Sequence, residues 1–105
     1  MANVKIKRHD TAVEFTDSLE ANGSPVDLTN STVTFIMKGR RTFTAPATVT
    51  SASGGTVSYK PTGGFPTDPG SYQQEWQVTF PNLTTLTFPS VGYNSITIIE
   101  DLNNN

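Results

Sequence analysis

Residues 71–80 read SYQQEWQVTF. In an extended chain, side chains alternate between two faces. Tyr72, Gln74, Trp76, Val78 and Phe80 then share one face, and Gln73, Glu75, Gln77 and Thr79 share the other. No helical period reproduces that segregation, so the segment reads as a strand with one buried face. Trp76 lies near its middle and is the expected centre of the core.

The same alternation recurs on both sides of this segment. VKIKR sets Val4 and Ile6 against Lys5 and Lys7, and VEFTDSL places Val13, Phe15 and Leu19 together. TVTFIMK puts Val33, Phe35 and Met37 opposite Thr32, Thr34 and Lys38, with Ile36 breaking the polar side. TVSYK pairs Val57 with Tyr59, and YNSITIIE, carrying Ile96 and Ile98, is the last strand. Between them stand turn signals. ANGSP contains Asn-Gly, the strongest short hairpin signal, and KGRRT is a basic turn. Pro46 marks the stretch from Phe43 to Ala52 as an edge strand or a bulge. PTGGFPTDPG, residues 61–70, is too rich in proline and glycine for regular structure.

About seven or eight short strands, spaced by turns every ten or so residues, predict an all-β fold. The expected architecture is an immunoglobulin-like sandwich of two antiparallel sheets. The 105 residues suit one domain, with a core over about residues 4–100 and a polar tail at 101–105. Phe15, Phe35, Tyr59, Tyr72, Trp76, Val78, Ile96 and Ile98 are the expected core.

Composition narrows the function classes. A net charge of −2 gives no global attraction to nucleic acid. With no cysteine, neither disulfides nor thiolate metal sites are possible. No apolar run approaches the ~18 residues of a membrane span, and MANVKIKRHD has no apolar stretch of the secretory kind. The sequons at Asn30 and Asn82 are accordingly expected to be incidental.

Catalytic constellations are hard to assemble. His9 is the single histidine, and its neighbour Asp10 points to the other strand face, so the two form no dyad. Gly-x-Ser-x-Gly is absent. Glu14 and Glu20 share a strand face but lie ~20 Å apart on an extended chain, beyond the roughly 5–9.5 Å of a glycosidase pair. Glu100 and Asp101 point apart, and Asp68 reads as a turn former rather than a calcium ligand. No enzyme, cofactor or metal site is expected. Binding has more material. Lys5, Lys7 and Arg8 form a basic patch, Arg40 and Arg41 sit in a turn, and all five suit contact with a protein neighbour. Phe65 lies in the long loop, with Phe43, Phe88 and Tyr93 near strand ends. Such aromatics stack on sugars, anchor interfaces or belong to the core.

IKRHDT, GSPVDLTNSTVTFIMK, GTVSYKP, PGSYQQEWQVTF and FPSVGYNSITIIEDL follow one another between Ile6 and Leu102. In that order they resemble the N-terminal domain of the phage baseplate upper protein family. The resemblance implies an immunoglobulin-like sandwich in the virion of a tailed bacteriophage, made in the bacterial host cytoplasm. It implies docking on tail or baseplate proteins and support of a receptor-binding part. The expected partners are other virion proteins and further copies of the chain as a homo-oligomer, not nucleic acid or membrane. Family members continue into a linker helix and further domains. A chain ending at DLNNN also fits capsid decoration (cement) or head–tail bridging, and a carbohydrate-binding module for host adsorption is a further alternative. Strand addition at NVKIKR or SITIIE is the expected mode of docking.

Overall fold

The computed structural model describes residues 3–7, 14–39, 41–61, 66, 68–89 and 94–99. Every regular element among them is a strand: β1 (Asn3–Lys7), β2 (Phe15–Ser18), β3 (Glu20–Ala21), β4 (Ser24–Pro25), β5 (Thr32–Lys38), β6 (Thr42–Pro46), β7 (Thr48–Ser51), β8 (Thr56–Tyr59), β9 (Gly70–Thr79), β10 (Thr85–Phe88) and β11 (Asn94–Ile99). They build a β-sandwich. The larger sheet runs β1-β11-β9-β5-β6, with β10 also on β9; the smaller runs β2-β8-β7.

β9 organises the larger sheet because it is long enough to pair with three strands. β5 lies along one side, from Thr32 opposite Thr79 to Lys38 opposite Gln73. On the other side β10 takes the upper half, with Phe88 opposite Trp76, and β11 the lower half, with Asn94 opposite Gln74. The alternation predicted for this segment holds: Tyr72, Gln74, Trp76 and Val78 are buried. All eight expected core residues are less than a tenth exposed, and Leu19, Leu28, Val33, Met37, Val57 and Phe88 join them in one cluster.

The hub of that cluster is Phe35 rather than Trp76. Its ring stacks on Tyr59 at 4.4 Å, meets Trp76 edge-on at 5.4 Å, and lies 5.4 Å from Phe15. These contacts join β5 and β9 of one sheet to β2 and β8 of the other, so the aromatic cluster holds the two layers together.

Three expectations need correction. β1 runs parallel to β11, with Val4 opposite Ile96, so the larger sheet is mixed. The segment at 13–19 does not continue as one strand toward the hairpin. The Leu19 N–H donates to the Gly55 carbonyl, and the Leu19 carbonyl accepts from Val26 N–H, which takes Leu19 out of the β2 ladder. A separate hairpin of β3 and β4 follows, with Glu20 opposite Pro25. Its turn is Asn22-Gly23 at φ 55° and 80°, the left-handed pair that a tight hairpin requires. The described residues therefore hold eleven extended segments, not seven or eight.

The loop from β4 to β5 carries a small electrostatic feature. Asp27 Oδ1 accepts from the Thr29 hydroxyl at 2.6 Å and from Thr29 N–H at 3.0 Å. Both bonds favour the ionised form, the hydroxyl most, and hold the carboxyl below its ordinary value of 3.8. A carboxyl depressed in the folded state contributes stability above its unfolded pKa, and that contribution is lost as pH falls through the lower folded value. A carbon-13 NMR titration is expected to place the Asp27 midpoint below the usual aspartate range. Thr29→Val should move that midpoint upward.

Candidate functional site

Of the five basic residues, Lys5 and Arg41 have their side chains among the described residues. Lys5 is exposed on β1, at the free margin of the larger sheet. Arg41 follows the β5–β6 turn, but its Nη2 pairs with Asp68 Oδ2 at 3.2 Å. The pairing has a plain cause: the turn lies against the entry to β9. There Tyr72 donates its hydroxyl to the Asp68 carbonyl at 2.8 Å. Gly39 leaves the needed room, since a Cβ there would stand 2.6 Å from the Tyr72 ring. The Arg41–Asp68 pair is exposed, so it orients the turn more than it stabilises the fold. Asp68 thus acts in the turn, with its carbonyl and carboxylate both engaged. Arg8, Arg40 and Phe65 lie outside the described residues, as does the Lys7 side chain.

The aromatics considered for stacking on sugars divide in the same way. Phe88 is buried, and Phe43 packs partly buried near Phe35 and Tyr59, so both belong to the core. Tyr93 lies outside the described residues, with His9, Asp10, Glu100 and Asp101. Glu14 precedes β2 and Glu20 belongs to β3, so they do not share one strand. Among the described residues no group of three His, Cys, Asp or Glu side chains is placed to hold a metal ion. No helix of the described residues is long and apolar enough to cross a membrane.

A polar cluster that the sequence reading passed over lies between the sheets. Trp76 Nε1 donates to Asp17 Oδ2 at 3.1 Å, and Asn94 Nδ2 donates to the same oxygen at 3.3 Å. Asn94 Nδ2 also reaches Gln74 Oε1 at 2.9 Å, and Asp17 Oδ1 accepts the Ser18 N–H at 2.8 Å. Gln74 and Asn94 are buried, where each amide needs a partner. The cluster borders a pocket of about 150 Å³ lined by Glu14, Phe15, Asp17, Trp76, Asn94 and Ile96, among others. Chemically, the Asp17 carboxylate is an acceptor fixed by donors from β9 and β11. It ties β2 to the larger sheet.

The signal for this cluster was present in the alternation. Asp17 lies two residues from both Phe15 and Leu19, in the inward register, as Gln74 does between Tyr72 and Trp76. Polar residues at inward positions demand partners, and these find one another.

Strand margins are the other accessible feature. β6 borders the larger sheet on one side and β1 on the other. β6 matches the edge position expected from Pro46. β11 is paired on both sides, to β1 and β9, so the described part of SITIIE is internal and offers no edge for strand addition. β10 pairs with β9 alone among the described residues. Beside it the β9–β10 turn presents Leu83, and Leu86 follows on β10; they are 83% and 51% exposed.

No protein-family model matches the chain, and no curated protein matches it.

Proposed function

We propose that this chain is a non-catalytic structural component of a tailed-phage virion. In this reading it docks on tail or baseplate proteins and helps to assemble or attach the receptor-binding apparatus. The observation that carries it is the ordered set of segments between Ile6 and Leu102 that resembles the baseplate upper protein family. The fold supports the reading in two ways. The quoted segments supply sandwich-building residues: Leu28 and Phe35, then Val57 and Tyr59, then Trp76, then Ile96 and Ile98, all buried. The sandwich also leaves strand margins at β1, β6 and β10 whose outer backbone groups pair with no strand among the described residues. Margins of that kind accept a neighbour's strand through main-chain hydrogen bonds with little demand on sequence.

Quantitative mass spectrometry and imaging of purified phage particles test the proposal. The chain is expected at a fixed copy number, at positions that repeat with tail or baseplate symmetry. Positions that repeat with the capsid lattice would replace the tail role with decoration, and absence from the particles would overturn the virion role altogether.

A further inference from the structure

The β9–β10 turn bears two costs at one residue. Leu83 has φ 68°, in the left-handed region that bulky L residues rarely occupy. It is also 83% exposed, more than any other large apolar side chain among the described residues. The turn is tight: Leu83 N–H donates to the Phe80 carbonyl at 2.8 Å, and Phe80 N–H donates to the Thr84 carbonyl at 2.9 Å. A hairpin turn closed in this way ordinarily places glycine or asparagine at the left-handed position. The fold's own energetics therefore favour a different residue at 83. Asn82 fixes the tip further, its Oδ1 accepting from Thr84 N–H at 3.2 Å and from the Thr84 hydroxyl at 2.6 Å. The result is an apolar side chain held out on a braced turn.

We infer that Leu83 is an anchor that seats in an apolar socket of a protein partner docking along β10. This rests on the virion reading above for where the partner is found. Three observations select the partner. Residues 80–88, FPNLTTLTF, carry no charge, so the contact draws on apolar burial and not on an acidic or basic surface. The outer margin of β10 pairs with no strand among the described residues. Its backbone donors and acceptors are satisfied by a polypeptide and would go unsatisfied in lipid. A second copy meeting tip to tip is disfavoured by size. Leu83 and Leu86 supply a small part of the ~800 Å² that each side of a stable complex buries. They serve as the centre of a larger contact, as anchor residues do.

The test uses phage particles produced with the wild-type chain, with Leu83→Gly or with Leu83→Asn. Both replacements accept the left-handed backbone, so the isolated variants should keep or raise the wild-type thermal midpoint. Their apparent affinity for the particle should fall roughly tenfold or more, from the lost burial of one leucine, read as copies lost when particles are washed at low and high salt. Full occupancy by the variants overturns the anchor while leaving the virion reading intact. Wild-type chain missing from particles removes the virion reading and this inference together. A midpoint lowered in both variants assigns Leu83 to the fold and overturns the anchor. Flotation of the wild-type chain with phosphatidylcholine vesicles, or its dimerisation in sedimentation, would also overturn it if abolished by Leu83→Gly, in favour of a bilayer or a second copy.

Discussion

Replacing Trp76 by alanine is expected to lower the free energy of unfolding by about 3–5 kcal/mol. The side chain is 1% exposed and sits edge-on to Phe35 at 5.4 Å, so its removal opens a void beside the hub of the aromatic cluster. It also removes the donor to Asp17 Oδ2, the bond by which β9 holds β2 across the sandwich. Trp76→Phe separates the two contributions. It keeps an aromatic ring in the core and removes the indole N–H. A hydrogen bond to a charged group contributes roughly 1.5–3 kcal/mol, so the phenylalanine variant should fall between wild type and alanine. Denaturant titration of the three proteins checks the order. A Trp76→Phe variant as stable as wild type would show that the Asp17 bond adds nothing measurable. A Trp76→Ala loss below about 1 kcal/mol would contradict the packing described here.

The fold was legible where a single period governed a whole segment. In β9 and β5 one alternation runs along the whole strand, with Gln74 and Ile36 as its exceptions, and every inward position from Tyr72 to Val78 and from Val33 to Met37 is buried. Asn22-Gly23 fixed a turn by backbone chemistry alone, and Pro46 marked an edge. Reading became harder where long-range hydrogen bonds decide the outcome. Nothing local at Leu19 announces that its N–H turns to Gly55 and its carbonyl to Val26. The parallel partner of β1 is equally invisible, since VKIKR alternates in the same way beside either orientation of a neighbour. For the site, the contrast lies in how a residue was weighed. Arg41 drew notice as a charge in a turn, but the fold pairs it with Asp68. Asp17, Gln74 and Asn94 drew little notice because they are single polar residues within apolar patterns. Their inward register made them the polar groups most in need of partners, and they build the cross-sheet tie. Leu83 was unreadable for another reason: its exposure and its left-handed backbone both belong to the turn and not to the residue.

Gly55→Ala is expected to destabilise the protein by about 2–4 kcal/mol, and Gly23→Ala by only about 1–2 kcal/mol. Both glycines have left-handed backbones, at φ 69° and 80°, so both substitutions incur the same conformational cost. Their surroundings differ. A Cβ at Gly23 meets nothing within 4 Å, because the β3–β4 turn projects into solvent. A Cβ at Gly55 would stand 2.7 Å from the Leu19 carbonyl oxygen and 2.8 Å from that of Val26, both backbone atoms that move only if the chain moves. Those atoms belong to the junction where the Gly55 carbonyl accepts Leu19 N–H at 2.8 Å and Leu19 accepts Val26 N–H at 2.9 Å. Displacing them loosens buried Leu19 and the start of the β4–β5 loop, whose Leu28 N–H is held by the Ala52 carbonyl at 2.9 Å. Amide hydrogen exchange would locate the effect, with faster exchange at Leu19, Val26 and Leu28 in Gly55→Ala and near wild-type rates there in Gly23→Ala. Equal losses in the two variants would mean that the turn conformation alone sets the cost, and that the close approach of Gly55 to this junction contributes nothing.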